Sequence, residues 1–160
     1  MQTALQCLVV DRAERAISIA DAMEFVADDR FGATDLFVGY VRCINQGRSV
    51  NGISYDMFDP LVLVKFREAA DTAAREAGVA CKISVAHAKG RLNVGDVAVV
   101  VAVGTGHRAA AFQICRAVIE AVKHDAPIWK QEHYIEGDSI WSEGASLRPS
   151  DESVTTTHSP

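Results

Sequence analysis

What the chain has little of narrows the reading first. Positive charge is in deficit: 16 Lys and Arg stand against 21 Asp and Glu, a formal net charge of −5. The surface as a whole therefore does not advertise a nucleic-acid partner. No apolar run approaches the ~18 residues that cross a bilayer. The first residues lack a basic stretch followed by an apolar block, so neither a membrane span nor a secretory leader is expected. The four cysteines, Cys7, Cys43, Cys81 and Cys115, are scattered without C-x-x-C spacing. That argues against a disulfide framework and against structural zinc, and makes reduced thiols in the cytoplasm the default. Acidic clusters for magnesium or calcium are missing, and His87 and His133 show no ligand spacing. No metal and no bound cofactor are expected.

What is present describes one soluble domain with a sizeable core: 160 residues, 49% hydrophobic and 23% charged. The stretch 104–130, G-T-G-H-R-A-A-A-F-Q-I-C-R-A-V-I-E-A-V-K-H-D-A-P-I-W-K, organises the rest. Ala111, Ile114, Cys115, Val118, Ile119 and Val122 recur at three- and four-residue steps, which predicts an amphipathic helix with one buried stripe. Cations sit at both ends, His107 and Arg108 at the start, Lys123 in the last turn and Lys130 just past Pro127. Sixteen residues separate His107 from Lys123, about 24 Å along a helix. No small substrate spans that. Either the helix carries two unrelated sites, or His107 and Arg108 of one copy meet Lys123 and Lys130 of another. A two-fold dimer, with two equivalent composite sites, is the favoured reading.

The other elements follow from pattern. Strands are expected over 4–10, 33–42, 52–58, 81–87, 97–103 and 128–134, with a short last one at Ile140-Trp141. Gly39 inside the second suggests a bulge. Helices are expected over 18–27, capped by Ser18, and from Asp59-Pro60 to a left-handed stop at Gly78. In the latter, Asp59 is read as the cap and Leu61, Val64, Ala69, Ala73 and Ala77 as the inner stripe. Residues 43–51 read as a loop and 88–91 as a polar turn. From Ser142 the chain turns polar and Ser/Thr/Pro-rich, which predicts a disordered tail over 142–160 beyond a domain of 1–141. The order gives an α+β domain with helices on one side of a largely antiparallel sheet.

Two opposed effects act on Lys123. The helix dipole favours its charge, while burial against Trp129 would lower its pKa and free the amine for proton transfer. The sequence leaves that balance open. Lys130 follows a stiff Pro-Ile-Trp approach. His107 and Arg108 follow G-T-G, where free N–H groups at a helix start form an anion site, and Arg42 is a third cation at a strand end. Cys43 lacks an adjacent histidine and reads as an ordinary loop thiol. On residues alone the chain carries a composite anion site rich in Lys, Arg and His.

Several motifs in order resemble the large, catalytic subunit of molybdopterin synthase, the MoaE family. They are F-V-G-Y-V-R and the N-x-G loop (37–47), S-Y-D-M-F (54–58), H-A-K-G-R-L-N-V-G-D (87–96), G-H-R-A-A-A-F (106–112) and K-H-D-A-P-I-W-K (123–130), closing with E-G-D and a Trp. The resemblance implies an α/β hammerhead fold and a homodimer forming the core of a heterotetramer. It also implies a small ubiquitin-like partner whose C-terminal Gly-Gly thiocarboxylate enters each large subunit. The implied reaction moves two sulfurs onto cyclic pyranopterin monophosphate, making the dithiolene of molybdopterin. Lys123 and Lys130 match the family's essential lysines, and Arg42, His107 and Arg108 its substrate-anion residues, the latter two from the neighbouring copy. Two positions depart from the pattern: Cys43-Ile44 replaces Asn-His, and Ser139-Ile140 stands where an arginine commonly precedes the closing Trp. A noncatalytic dimeric relative, binding the ubiquitin-like partner or a phosphorylated ligand, is the alternative.

Overall fold

A computed structural model of the chain describes residues 2–137 and 141–142. The elements in order are β1 (Thr3–Asp11), α1 (Ile19–Val26), β2 (Ala33–Tyr40), β3 (Ile44–Asn45), β4 (Arg48–Met57), α2 (Asp59–Ala77), β5 (Cys81–Asn93), β6 (Val97–Thr105), α3 (Arg108–Asp125), β7 (Ile128–Tyr134) and β8 (Trp141–Ser142). Apart from Ser142, the expected tail lies outside the described residues, as does the Ser139-Ile140 departure.

β5 joins the sheet's two sections. Its first part pairs with β6 on one side and, in parallel, with β1 on the other. Residues 90–93 then pair with β4, which continues to β7 and β8. The turn expected at 88–91 is therefore absent. Local polarity suggested it, but β1 pairs with residues 88–89 and β4 with 90–93, and Gly90, at φ +88°, sits opposite Tyr55. β2 closes the other end, paired only with β6 among the described residues, with a register shift at Gly39/Tyr40 where the bulge was expected. Among the described residues, all strand pairs but β1–β5 are antiparallel.

β6 is buried on both faces, and its alternation divides the core. Val99, Val101 and Val103 face α2 and α3, while Ala98, Val100 and Ala102 face α1. The two long helices thus form the expected layer, and the short α1 lies on the opposite face. Gly104 permits that approach: a Cβ there would strike the Val26 carbonyl at the end of α1. Ser18 caps α1 by accepting the Asp21 N–H at 3.1 Å. On α3 every residue of the expected stripe is buried, each large aliphatic contributing about 1.5–3 kcal/mol of transfer free energy.

Helix α2 departs from expectation in phase and cap. Its buried face is Val62, Phe66, Ala70, Ala73 and Ala74, whereas Leu61 and Val64 are exposed. Phe58 occupies the cap position without a side-chain bond. Asp59 begins the helix and its carboxylate instead accepts from Lys89 Nζ at 2.8 Å. The segment read as a loop folds into a tight hairpin: β3 and β4 pair Ile44 with Ser49 and Asn45 with Arg48. Gln46 and Gly47, at φ 49° and 74°, make the two-residue left-handed turn that hairpin twist requires.

Candidate functional site

A pocket of about 140 Å³ opens where the end of β2, the β3–β4 hairpin, the C-terminal turn of α3 and the face of β7 meet. Strand alternation decides what enters it. On β7, Lys130 and Glu132 point inward with Ile128, and on β4, Ile53 and Tyr55 do the same. Lys130 is the register partner of Tyr55. The aromatic companion of Lys130 is therefore Tyr55. Trp129 alternates to the other face of β7, is exposed, and does not bury Lys123.

Three of the five expected residues line this pocket: Arg42, just past β2, Lys123 in the last turn of α3, and Lys130. Burial lowers the pKa of Lys123, and the positive charges of Lys130 and Arg42 lower it further, with Glu120 opposing. Lys123 as a residue is nevertheless exposed, so solvent screens the effect. The Lys130 ammonium lies 3.7 Å from Glu132 Oε1.

His107 and Arg108 are elsewhere in the same protomer. His107 holds the N-cap position of α3 without a side-chain cap bond and Arg108 is the first helical residue; both are exposed. The helix length of about 24 Å separates them from Lys123. Of the G-T-G preceding them, Gly104 serves the contact with α1, and Thr105 Oγ1 donates to the His107 carbonyl at 2.8 Å. Cys43 is an exposed free thiol beside Arg42.

The sequence reading passed over four residues that the pocket uses. His87 is 5% exposed, donates from Nδ1 to the Ala88 carbonyl at 2.7 Å, and sits edge-on to Tyr55. Because a carbonyl only accepts, Nδ1 carries the proton and the neutral ring's Nε2 keeps its lone pair. Desolvation lowers its pKa to about 4, with the Lys123 charge adding to the drop. The Tyr55 hydroxyl is pushed up to about 12 by burial and by Glu132, against a smaller opposing effect of Arg42. Glu132 and Asn45 complete the wall. Period-two alternation through S-Y-D-M-F and I-W-K-Q-E could have placed Tyr55 and Glu132 on strand faces; His87 needed the register of β5.

Fold and pocket define the class: an α+β domain in which Arg42, Lys123 and Lys130, with the Glu132 carboxylate among them, line one small cavity. The MoaE family model, described as MoaE protein, matches residues 12–125, and the chain belongs to that family. It is 45% identical over 145 residues to a molybdopterin synthase catalytic subunit of Synechococcus elongatus, covering 88% of each chain. It is also similar to the crystal structure of molybdopterin synthase from Staphylococcus aureus, with a TM-score of 0.77 at 28% identity over 84% of this chain and 94% of that one. The fold likewise matches a chain in the Helicobacter pylori complex of subunits 1 and 2 of molybdopterin-converting factor, with a TM-score of 0.64 at 24% identity, covering 88% and 89%.

Proposed function

We propose that the chain is the catalytic subunit of a molybdopterin synthase, with residues 1–141 as its working domain. It takes sulfur from the C-terminal thiocarboxylate of a small ubiquitin-like partner and places it on cyclic pyranopterin monophosphate. The observation that carries this is the convergence of Arg42, Lys123 and Lys130 on one pocket. Both reactants are anionic, and fixed cations gather them without reorganising during the reaction.

Two sulfurs move, each from its own thiocarboxylate. Each spent tail leaves as a carboxylate once water replaces sulfur on the acyl carbon. Lys123 stabilises the tetrahedral adduct and, with its pKa lowered, passes protons during transfer. Lys130 holds the pterin side or serves as the acid in ring opening, and Arg42 binds substrate anion.

His107 and Arg108 join from a second copy. β2 supports this arrangement. Ala33 at its start pairs with Thr105, next to Gly106-His107-Arg108, while Gly39 and Tyr40 at its end line the pocket. A copy paired antiparallel along this strand through a two-fold axis would set its His107 and Arg108 beside the first copy's pocket. Leu36, Tyr40 and Phe112 are exposed on β2 and α3, as an unpartnered edge would have them.

Reconstitution tests the reading. The purified chain, mixed with a thiocarboxylated small subunit and the cyclic precursor, should yield dithiolene pterin, and Lys123→Ala should abolish it while partner binding persists. Partner binding without product in the unaltered chain would leave the noncatalytic alternative standing.

A further inference from the structure

The β3–β4 hairpin forms one wall of the pocket, with Arg42 at its base and Ile44 and Asn45 lining the cavity. Two side chains tie it to β7. Arg48 stacks on the Tyr134 ring, 3.6 Å from its centroid, and donates to the Glu136 carbonyl at 2.6 Å. Asn45 reaches further into the site. Its Nδ2 donates to Glu132 Oε2 and, at 2.8 Å, to the Tyr134 hydroxyl. That hydroxyl donates in turn to the same Glu132 oxygen at 2.7 Å.

Glu132 is thus held from behind. Two donors converge on Oε2, leaving Oε1 to face the Lys130 ammonium at 3.7 Å. Rotation about the last bond of a glutamate is soft, and donors on one oxygen fix the plane that the other presents. An asparagine suits the position because its amide supplies two N–H groups without charge. An aspartate of the same shape would set a second carboxylate against the first.

We propose that Asn45 is a positioning residue: through Glu132 it orients Lys130, so that seating the hairpin over the pocket and placing the Lys130 ammonium are one event. The inference deepens the synthase reading and rests on it for the chemistry. Its structural half, the Asn45–Glu132–Lys130 chain, is open to test without turnover.

The experiment compares Asn45→Ala, Asn45→Asp, Glu132→Gln and the Asn45→Ala/Glu132→Gln double variant by two readouts. In the reconstituted assay, Asn45→Ala should lower kcat about tenfold, the scale of a lost charge-assisted hydrogen bond, with KM for the pterin little changed. The double variant should be no slower than Glu132→Gln alone, because Asn45 acts through that carboxylate. Asn45→Asp should be worst at neutral pH and recover as pH falls, when one proton is shared between the two carboxyls. A loss of packing alone would not produce that profile.

The second readout is the acylation rate of the Lys130 amine, followed by mass spectrometry on the complete, folded chain. It should rise about threefold in Asn45→Ala, as for a partly exposed ion pair, and the double variant should react no faster than Glu132→Gln alone. Losses that multiply in the double variant, or an unchanged Lys130 rate in Asn45→Ala, overturn the proposal. If the unaltered chain makes no dithiolene pterin, the synthase reading fails by itself and the labelling result still decides the positioning chain.

Discussion

His87 meets Tyr55 edge-on at the floor of the pocket, their ring centroids 4.9 Å apart and their planes at 82°. The contact sets a neutral imidazole beneath a cluster of cations, and acid should expose that arrangement. The folded-state pKa of His87 is depressed to about 4 from an ordinary 6.5, first by desolvation. Between those values the unfolded chain binds the extra proton and the folded chain does not, so stability rises with pH across this window. The contribution is complete above about pH 6.5 and is lost as pH falls towards 4, about 3 kcal/mol in all. Urea midpoints from pH 7 to 4 should fall, and fall less in His87→Leu. An equal acid slope in that variant would show that His87 is not the group responsible.

Lys123 tests the electrostatics directly. Its pKa is lowered by burial first and by Lys130 and Arg42 next. Removing a neighbouring positive charge must therefore raise it. In Lys130→Met and in Arg42→Met, competitive acylation of Lys123 should require higher pH, with the larger displacement in Lys130→Met. The readout is independent of turnover, which both variants should lose. A lower apparent pKa in either variant contradicts the shared pocket.

The organising helix was legible because its period is local. Six stripe positions of α3 announce themselves at three- and four-residue steps, and all six are buried. Helix α2 was found but misphased: Leu61 and Val64 are apolar yet exposed, and the deciding contact, wholly buried Phe66, belongs to the next phase. The candidate site was legible in part. Arg42, Lys123 and Lys130 stood out as charge near glycine, proline or a helix end. Tyr55, His87 and Glu132 did not, because each enters the pocket through strand register, and no local pattern states that Tyr55 faces Lys130. The hairpin at 44–49 was hidden for a related reason. Its turn is Gln46-Gly47 rather than a strong hairpin pair such as Asn-Gly.

Gly104 should be the glycine of the central strands that least tolerates a methyl group on the α1 side. A Cβ there would strike backbone, the Val26 carbonyl, and also approach Phe31. Neither the strand nor the helix end can yield cheaply. Gly104→Ala should lose about 2–3 kcal/mol, seen as a lower urea midpoint at unchanged slope. Gly106→Ala, where a Cβ meets nothing within 4 Å, should lie within about 0.5 kcal/mol of the unaltered chain. Equal losses at the two positions would mean that α1 does not sit where β6 needs a glycine.

Mixed dimers give the sharpest test of a pocket shared between copies. Lys123→Ala removes a group that each protomer supplies to its own site, and Arg108→Ala one that it supplies to its neighbour's. Each variant alone should be inactive. Mixed in equal amounts under conditions that exchange subunits, half the dimers pair one variant with the other. In such a dimer one site lacks both groups, while the other has Lys123 from one chain and Arg108 from its partner. One intact site in half the dimers gives about a quarter of full activity. If Arg108 instead served the site of its own chain, every site in every dimer would lack one group and mixing would restore nothing. The helix between Arg108 and Lys123 makes that second outcome difficult within one protomer. Recovered activity near a quarter, appearing only after exchange, is the expected result.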